Sequence, residues 1–314
     1  MTHFAGFDFI ILFFVLGGFA SWINSDLEIP EPISKFLSIF LLLALGLKGG
    51  HEVQSADNLT GFTTTLSLGI VSCVALPIVM FYLLKNKLSI GNAAAISASY
   101  GSVSAVTFIT AQGLLTNKGM IFSGFMVAIM ALMEIPGILI GAYLYKKHTK
   151  SLAFGKSIFL NILSAKSVIL LLGGFIIGLL MNDKTWLGVS PMFQDLFKGA
   201  LAFFLLDLGI AAQRRIREAW TFKRVILPIA ILFPLFWGTV FLLLGHAAGV
   251  AQGDLVLLGT LVGSASYIAA PAAMRSLIVD SNPSLYLALP LALTFPFNLA
   301  VGIPFYIELS SWLA

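Results

Sequence analysis

From about residue 8 to residue 309 the chain alternates apolar stretches, most of them near twenty residues long, with short connections that hold its charges. About 20 apolar residues in helical form cross the hydrocarbon of a bilayer. Backbone at that depth is satisfied only in helices or closed barrels. Spans are predicted at about 8–23, from Pro32 to Leu47, and at 59–84, 89–115, 119–145, 166–181, 191–212, 224–248, 253–278 and 284–309. Soluble domains carry about 25% charged residues; this chain carries 10%, with 59% hydrophobic. The expected class is an all-α polytopic membrane protein.

Two of the ten spans are interrupted. Ser97-Ala-Ser-Tyr-Gly-Ser-Val-Ser-Ala-Val-Thr-Phe-Ile-Thr110 and Gly263-Ser-Ala-Ser-Tyr-Ile-Ala-Ala-Pro271 put Gly and small hydroxyl residues where a continuous helix gains least from them. Unwound backbone at membrane depth has to be buried in protein or line a wet cavity. A matched pair of such breaks marks a transport site near the midplane. The competing reading is two helices with small faces for close packing.

The halves align. Leu43-Ala-Leu-Gly46 matches Leu206-Asp-Leu-Gly209 at an offset of 163, Gly101-Ser-Val-Ser104 matches Gly263-Ser-Ala-Ser266 at 162, and Pro136 matches Pro296 at 160. Five spans per half is an odd number, so the second repeat enters the membrane upside down, as in inverted-repeat transporters. The expected organisation is a first five-helix repeat over 1–150, a cytoplasmic connection over 151–165 and a second repeat over 166–314. The connection contains Phe154 and Ile158-Phe-Leu160, and part of it is expected to lie in the interface.

Net charge is +4, but the basic residues sit in loops, where topology explains them better than nucleic acid does. With ten spans, fourteen of the 18 Lys and Arg residues fall on the face holding the 151–165 connection, and Lys48, Lys118, Lys184 and Lys198 fall on the other. That bias places both termini outside the cytoplasm. No Lys or Arg precedes Lys35, so the first span is expected to be a transmembrane helix rather than a signal peptide. One cysteine and four scattered histidines give neither a disulfide framework nor a metal-ligand spacing. Nor do the spans hold a nucleophile–base pair, so an enzyme is not expected.

In this orientation a half-helix begins beyond each break. Two helix N-termini face one another, with unpaired N–H groups that favour an anion. The predicted substrate site is Gly101, Ser102, Val103 and Ser104 with Gly263, Ser264, Ala265 and Ser266. Carbonyls freed in the same breaks suit Na⁺. Glu134, an intramembrane carboxylate two residues before Pro136, is the first cation candidate, joined by Thr107, Tyr267 and Asn298. Asp207, the other intramembrane acid, is expected to be a structural or gating group.

Ile29-Pro-Glu-Pro-Ile33, Gly46-Leu-Lys-Gly-Gly50, Gly101-Ser-Val-Ser104, Met133-Glu-Ile-Pro136, Ala273-Met-Arg-Ser276, Asn282-Pro-Ser284 and Gly302-Ile-Pro304 together resemble the sodium-dependent bicarbonate transporters of bacteria. The resemblance runs the length of the chain. It implies a core domain of spans 3–5 and 8–10, a gate domain of spans 1, 2, 6 and 7, and a homotrimer in the bacterial inner membrane. It also implies Na⁺-coupled bicarbonate uptake at the crossed breaks and control by a cytoplasmic PII-like protein, with no cofactor. Tyr267 stands where that pattern carries an aspartate, and the connection between spans 5 and 6 is shorter. A carrier of another small organic anion and a cation/proton antiporter using Glu134 or Asp207 are the alternative functions.

Overall fold

The computed structural model describes residues 9–54, 61–149, 166–220, 223–278 and 280–313, and among these it is helical with no strand. The 151–165 connection lies outside the described residues. The helices are α1 (Phe9–Trp22), α2 (Glu31–Gln54), α3 (Phe62–Leu84), α4 (Ile90–Gly101), α5 (Ala105–Asn117) and α6 (Met126–Thr149). After the connection come α7 (Lys166–Leu180), α8 (Asp183–Ser190), α9 (Phe197–Trp220), α10 (Lys223–Ala247), α11 (Gln252–Val262) and α12 (Ala269–Leu277). A last rod joins α13 (Pro283–Ala288), α14 (Phe295–Phe297) and α15 (Ile303–Leu313) through π turns at Leu289–Thr294 and Asn298–Gly302. Among the described residues six segments are long and apolar enough to cross a membrane, including 90–117 counted through its break and 285–313. The chain is a multi-pass membrane protein.

Packing divides the helices. α1 runs against α9, α2 against α7, and α2 also touches α9. α3, α4 and α6 pack on one another, as do α10, α11 and α15. Glycines set the closest approaches in the first group. A Cβ on Gly17 would overlap the Leu206 carbonyl, and one on Gly209 would overlap that of Phe14. Gly46 and Gly50 on α2 meet Gly174 and Gly178 on α7, two Gly-x-x-x-Gly faces brought backbone to backbone.

That contact corrects one expectation. Lys48-Gly-Gly50 reads as a helix stop, yet α2 continues through it to Gln54. A side chain on Gly50 would collide with the Phe175 carbonyl, so close packing accounts for the glycine there. A second correction concerns the fifth span. Its helix starts at Met126 instead of near 119, and the preceding connection turns at Gly119 and is tied to α11 through Ser123.

This tether has a counterpart in the other half. Asp254 accepts hydrogen bonds from Ser123 N and Ser123 Oγ, both at 2.7 Å, and Gly253 lies under the Ile121 carbonyl. At an offset of 162, Asn92 Oδ1 accepts from Asn282 N at 2.6 Å, and Gly91 lies under the Asp280 carboxylate. In each half, the start of the broken span's first helix caps the backbone entering the helix that follows the broken span in the opposite half. Asp254 is buried, so Asp254→Ala strands two donors at about 1–3 kcal/mol. A lower melting temperature of the detergent-solubilised protein, partly restored by Asp254→Asn, is the expected result.

One of the helix-interior prolines, Pro234, is served by a side chain from a neighbouring helix. Pro234 has no N–H for the Ala230 carbonyl one turn back, and Thr294 Oγ1 donates to that carbonyl at 2.9 Å. Tyr100 lies 2.6 Å from the same hydroxyl and is therefore the donor between them. Thr294 thus satisfies backbone that a proline leaves broken in α10, not in its own rod. Asp207 accepts from Ser34 at 2.5 Å and so joins α9 to α2. Trp22 and Trp312 are exposed, whereas Trp186 stacks on His51 with ring centroids 4.9 Å apart.

Candidate transport site at the crossed breaks

Both interruptions fall where the sequence placed them. α4 ends at Gly101, Ser102 to Ser104 are extended, and α5 begins at Ala105. α11 ends at Val262, and α12 begins at Ala269, so Gly263 to Ile268 form the second break. Ser102 to Ser104 and Gly263 to Tyr267 are buried in protein, and Ile268 is exposed; burial is the condition for leaving helix at membrane depth.

The first break is seated by glycine and proline. Gly101 lies on the Pro77 ring of α3, and a Cβ on Gly137 of α6 would overlap the Gly101 carbonyl. One turn of α6 beside Pro136 therefore fits against the unwinding backbone. Ser102 Oγ then donates to the Glu134 carbonyl at 3.0 Å, and Cys73 Sγ donates to that of Met133 at 3.2 Å. The second break is held by Asn298, whose amide donates to the Gly263 carbonyl at 2.8 Å. Asn298 Oδ1 is buried without a hydrogen-bond partner.

Each break also caps the half-helix that follows. Ser104 Oγ accepts from Thr107 N at 3.2 Å and from Thr107 Oγ1 at 2.8 Å. Ser266 Oγ accepts from Ala270 N at 3.0 Å. The breaks are stitched to one another: Ser104 N donates to Ser264 Oγ at 3.0 Å, and Ser266 N donates to the Ser99 carbonyl at 2.8 Å. Ser264 Oγ donates in turn to the Leu261 carbonyl.

A small cavity lies where the two N-termini meet. Val103 to Val106 line one side, Ser266 to Ala269 the other, and Glu134 reaches it from α6. Its closing wall comes from Ser38, Leu41 and Leu42 of α2 and Phe204 of α9. About 30 Å³ is open to the centre of a water-sized sphere, against roughly 10–15 Å³ for one water. Helix geometry leaves the Ala105 and Val106 amides without an intrahelical acceptor, and both residues line the cavity.

Of the predicted substrate residues, Val103, Ser104 and Ser266 line this space. Gly101, Ser102, Gly263, Ser264 and Ala265 form its supporting frame, with both serine hydroxyls donating to backbone carbonyls. Of the predicted cation residues, Glu134 and Tyr267 line the cavity, and both are buried. The Tyr267 hydroxyl is buried without a hydrogen-bond partner. Thr107 and Asn298 stand behind it, bonded to Ser104 and Gly263. Among the described residues no group of three His, Cys, Asp or Glu side chains gathers to hold a metal ion.

Sequence reasoning missed the wall from α2 and α9. Ser38, a lone hydroxyl within Phe36-Leu-Ser-Ile-Phe40, was the readable signal; Leu41, Leu42 and Phe204 carried none.

Comparison with curated proteins returns no match. The profile of one family does match, over residues 10–311, and its span includes both breaks, Glu134 and the closing wall. The chain belongs to the Na⁺-dependent bicarbonate transporter superfamily.

Proposed function

We propose that the chain is a secondary active transporter that carries bicarbonate, or a similar small anion, into the cell together with Na⁺. The observation carrying this reading is the meeting of two capped helix N-termini across a cavity lined by a buried carboxylate. Amides at the start of α5 and α12, with the Ser104 and Ser266 hydroxyls, offer donors and partial positive charge to an anion's oxygens. Glu134 supplies negative charge and oxygen for a cation in the same space. The cavity accepts a water-sized particle as it stands.

Membership of the superfamily supports this substrate and this coupling ion. The matched tethers at Asn92 and Asp254, and the paired breaks at one offset, support two inverted five-helix repeats making ten spans. The packing of α1 on α9 and α2 on α7 supports a gate of spans 1, 2, 6 and 7 beside a core of the rest. Family likeness makes a homotrimer and a cytoplasmic PII-like regulator the expected partners, and a bacterial inner membrane the expected location.

Uptake of labelled bicarbonate into proteoliposomes, with and without an inward Na⁺ gradient, tests the function. Uptake that ignores Na⁺ but follows a proton gradient would replace the coupling ion. No uptake under either gradient would reject bicarbonate transport. For the orientation, reporter fusions after Lys150 and after Ala314 are expected on opposite faces of the membrane, with the Lys150 fusion cytoplasmic. The same face for both would remove the ten-span topology.

A further inference from the structure

The cavity at the crossing has a larger neighbour. A space of about 280 Å³ lies between α2, the C-terminal half of α5 and the start of α9. The same helix faces line both. On α2, Ser38, Leu41 and Leu42 border the crossing, and Leu45 and Lys48 border the larger space. On α9, Phe204 borders the crossing, and Leu201 and Lys198 the larger space. Ile109 of α5 borders both. Residues three or four apart share a helix face, so three continuous stripes lead from one space to the other, with Ile109 as the partition. The larger space is a vestibule of the crossing.

Its charge has one sign. Lys48 and Lys198 line it, and among the described residues no acidic side chain does. Glu52 lies 3.6 Å from Lys48 in an i,i+4 pair whose side chains are each a little over a third exposed; it offsets part of the Lys48 charge but does not line the space. Lys198 donates to the neutral Asn117 Oδ1 at 3.2 Å. Four lysines lie on this face in the ten-span topology, and two of them converge here. Low-dielectric walls focus such a field and raise the local concentration of anions.

We propose that this vestibule is a capture site for small inorganic anions, where Lys48 and Lys198 gather the anion before it passes Ile109 to the crossed breaks. The proposal rests on the anion-transport reading for its purpose, but its test does not. The chain has one cysteine, Cys73, and it is buried. Thr116 is exposed and lines the vestibule, so Thr116→Cys provides one accessible thiol there. The measurement is the rate of thiol modification by a negatively charged methanethiosulfonate relative to a positively charged one, in proteoliposomes at low ionic strength.

The anionic reagent is expected to react faster. Its advantage is expected to fall about tenfold when K48Q and K198Q are added, to persist with K48R and K198R, and to collapse near 1 M salt. Bicarbonate uptake by the double Gln variant, without the cysteine, is expected to need about five to ten times more bicarbonate for half-maximal rate. An unchanged reagent ratio in the double Gln variant overturns the capture site, whatever the uptake. If the ratio falls as expected while the wild-type protein moves no bicarbonate, the vestibule stands and the assigned substrate falls.

Discussion

Gly137→Ala is expected to cut anion uptake about a hundredfold, although it adds a single methyl group. A Cβ at this position would overlap the Gly101 carbon and oxygen and stand 2.5 Å from Ser102 N. Those atoms are backbone, so no rotamer change relieves the contact. The first break has to shift by about an ångström, and misplacement on that scale at a reacting or binding centre costs about two orders of magnitude. Overpacking costs about 1–3 kcal/mol, which leaves the protein in the membrane. The control is Gly173→Ala, the same change where a Cβ meets open space, with uptake expected within about twofold of wild type. Equal uptake by both variants, normalised to protein that elutes as a single species, would mean that the position of the break is unimportant for transport.

The same contact shows what a single sequence can disclose about such a protein. The breaks at Ser102 and at Gly263 were readable because Gly and Ser inside an apolar span have few physical outcomes. Lipid accepts no loose backbone, so the runs had to be close packing or buried unwinding, and a matched pair favoured unwinding. Which glycines pack and which unwind was not readable. Gly50 looks like a helix end and is a contact with α7; Gly137 looks unremarkable and seats the break.

Prolines posed a similar problem. Pro290 and Pro296 lie in or beside π turns in the last rod and do not break it. The carbonyl that Pro234 leaves free is met by Thr294 from a distant part of the chain. Within the site, polar residues advertised themselves and apolar ones did not. Leu41, Leu42 and Phe204 are three among many in apolar spans. Their place in the wall follows from how α2 and α9 pack, which no local pattern encodes. Ser102 and Ser264 were readable as site residues, but their support role depends on carbonyls that the fold brings to them.

Glu134→Gln is expected to raise the Na⁺ concentration for half-maximal uptake about tenfold or more, with a smaller loss of rate at saturating Na⁺. The side chain is buried at the crossing with two helix N-termini facing the same space. A cavity lined by helix N-termini alone repels a cation. Negative charge in the same cavity reverses that preference, and burial makes it effective because little water screens it. Tyr267 brings a neutral hydroxyl, so it cannot replace that charge, and Asp207 is bound to Ser34 away from the lining. Glutamine keeps the length and one carbonyl oxygen, so the backbone contact from Ser102 to the Glu134 carbonyl survives. The charge is lost while the frame remains. A structural role for the carboxylate would lower the rate and leave the Na⁺ dependence in place. The deciding measurement is bicarbonate uptake against Na⁺ concentration for both proteins. Superimposable Na⁺ curves would leave the cation to backbone carbonyls and hydroxyls of the two breaks.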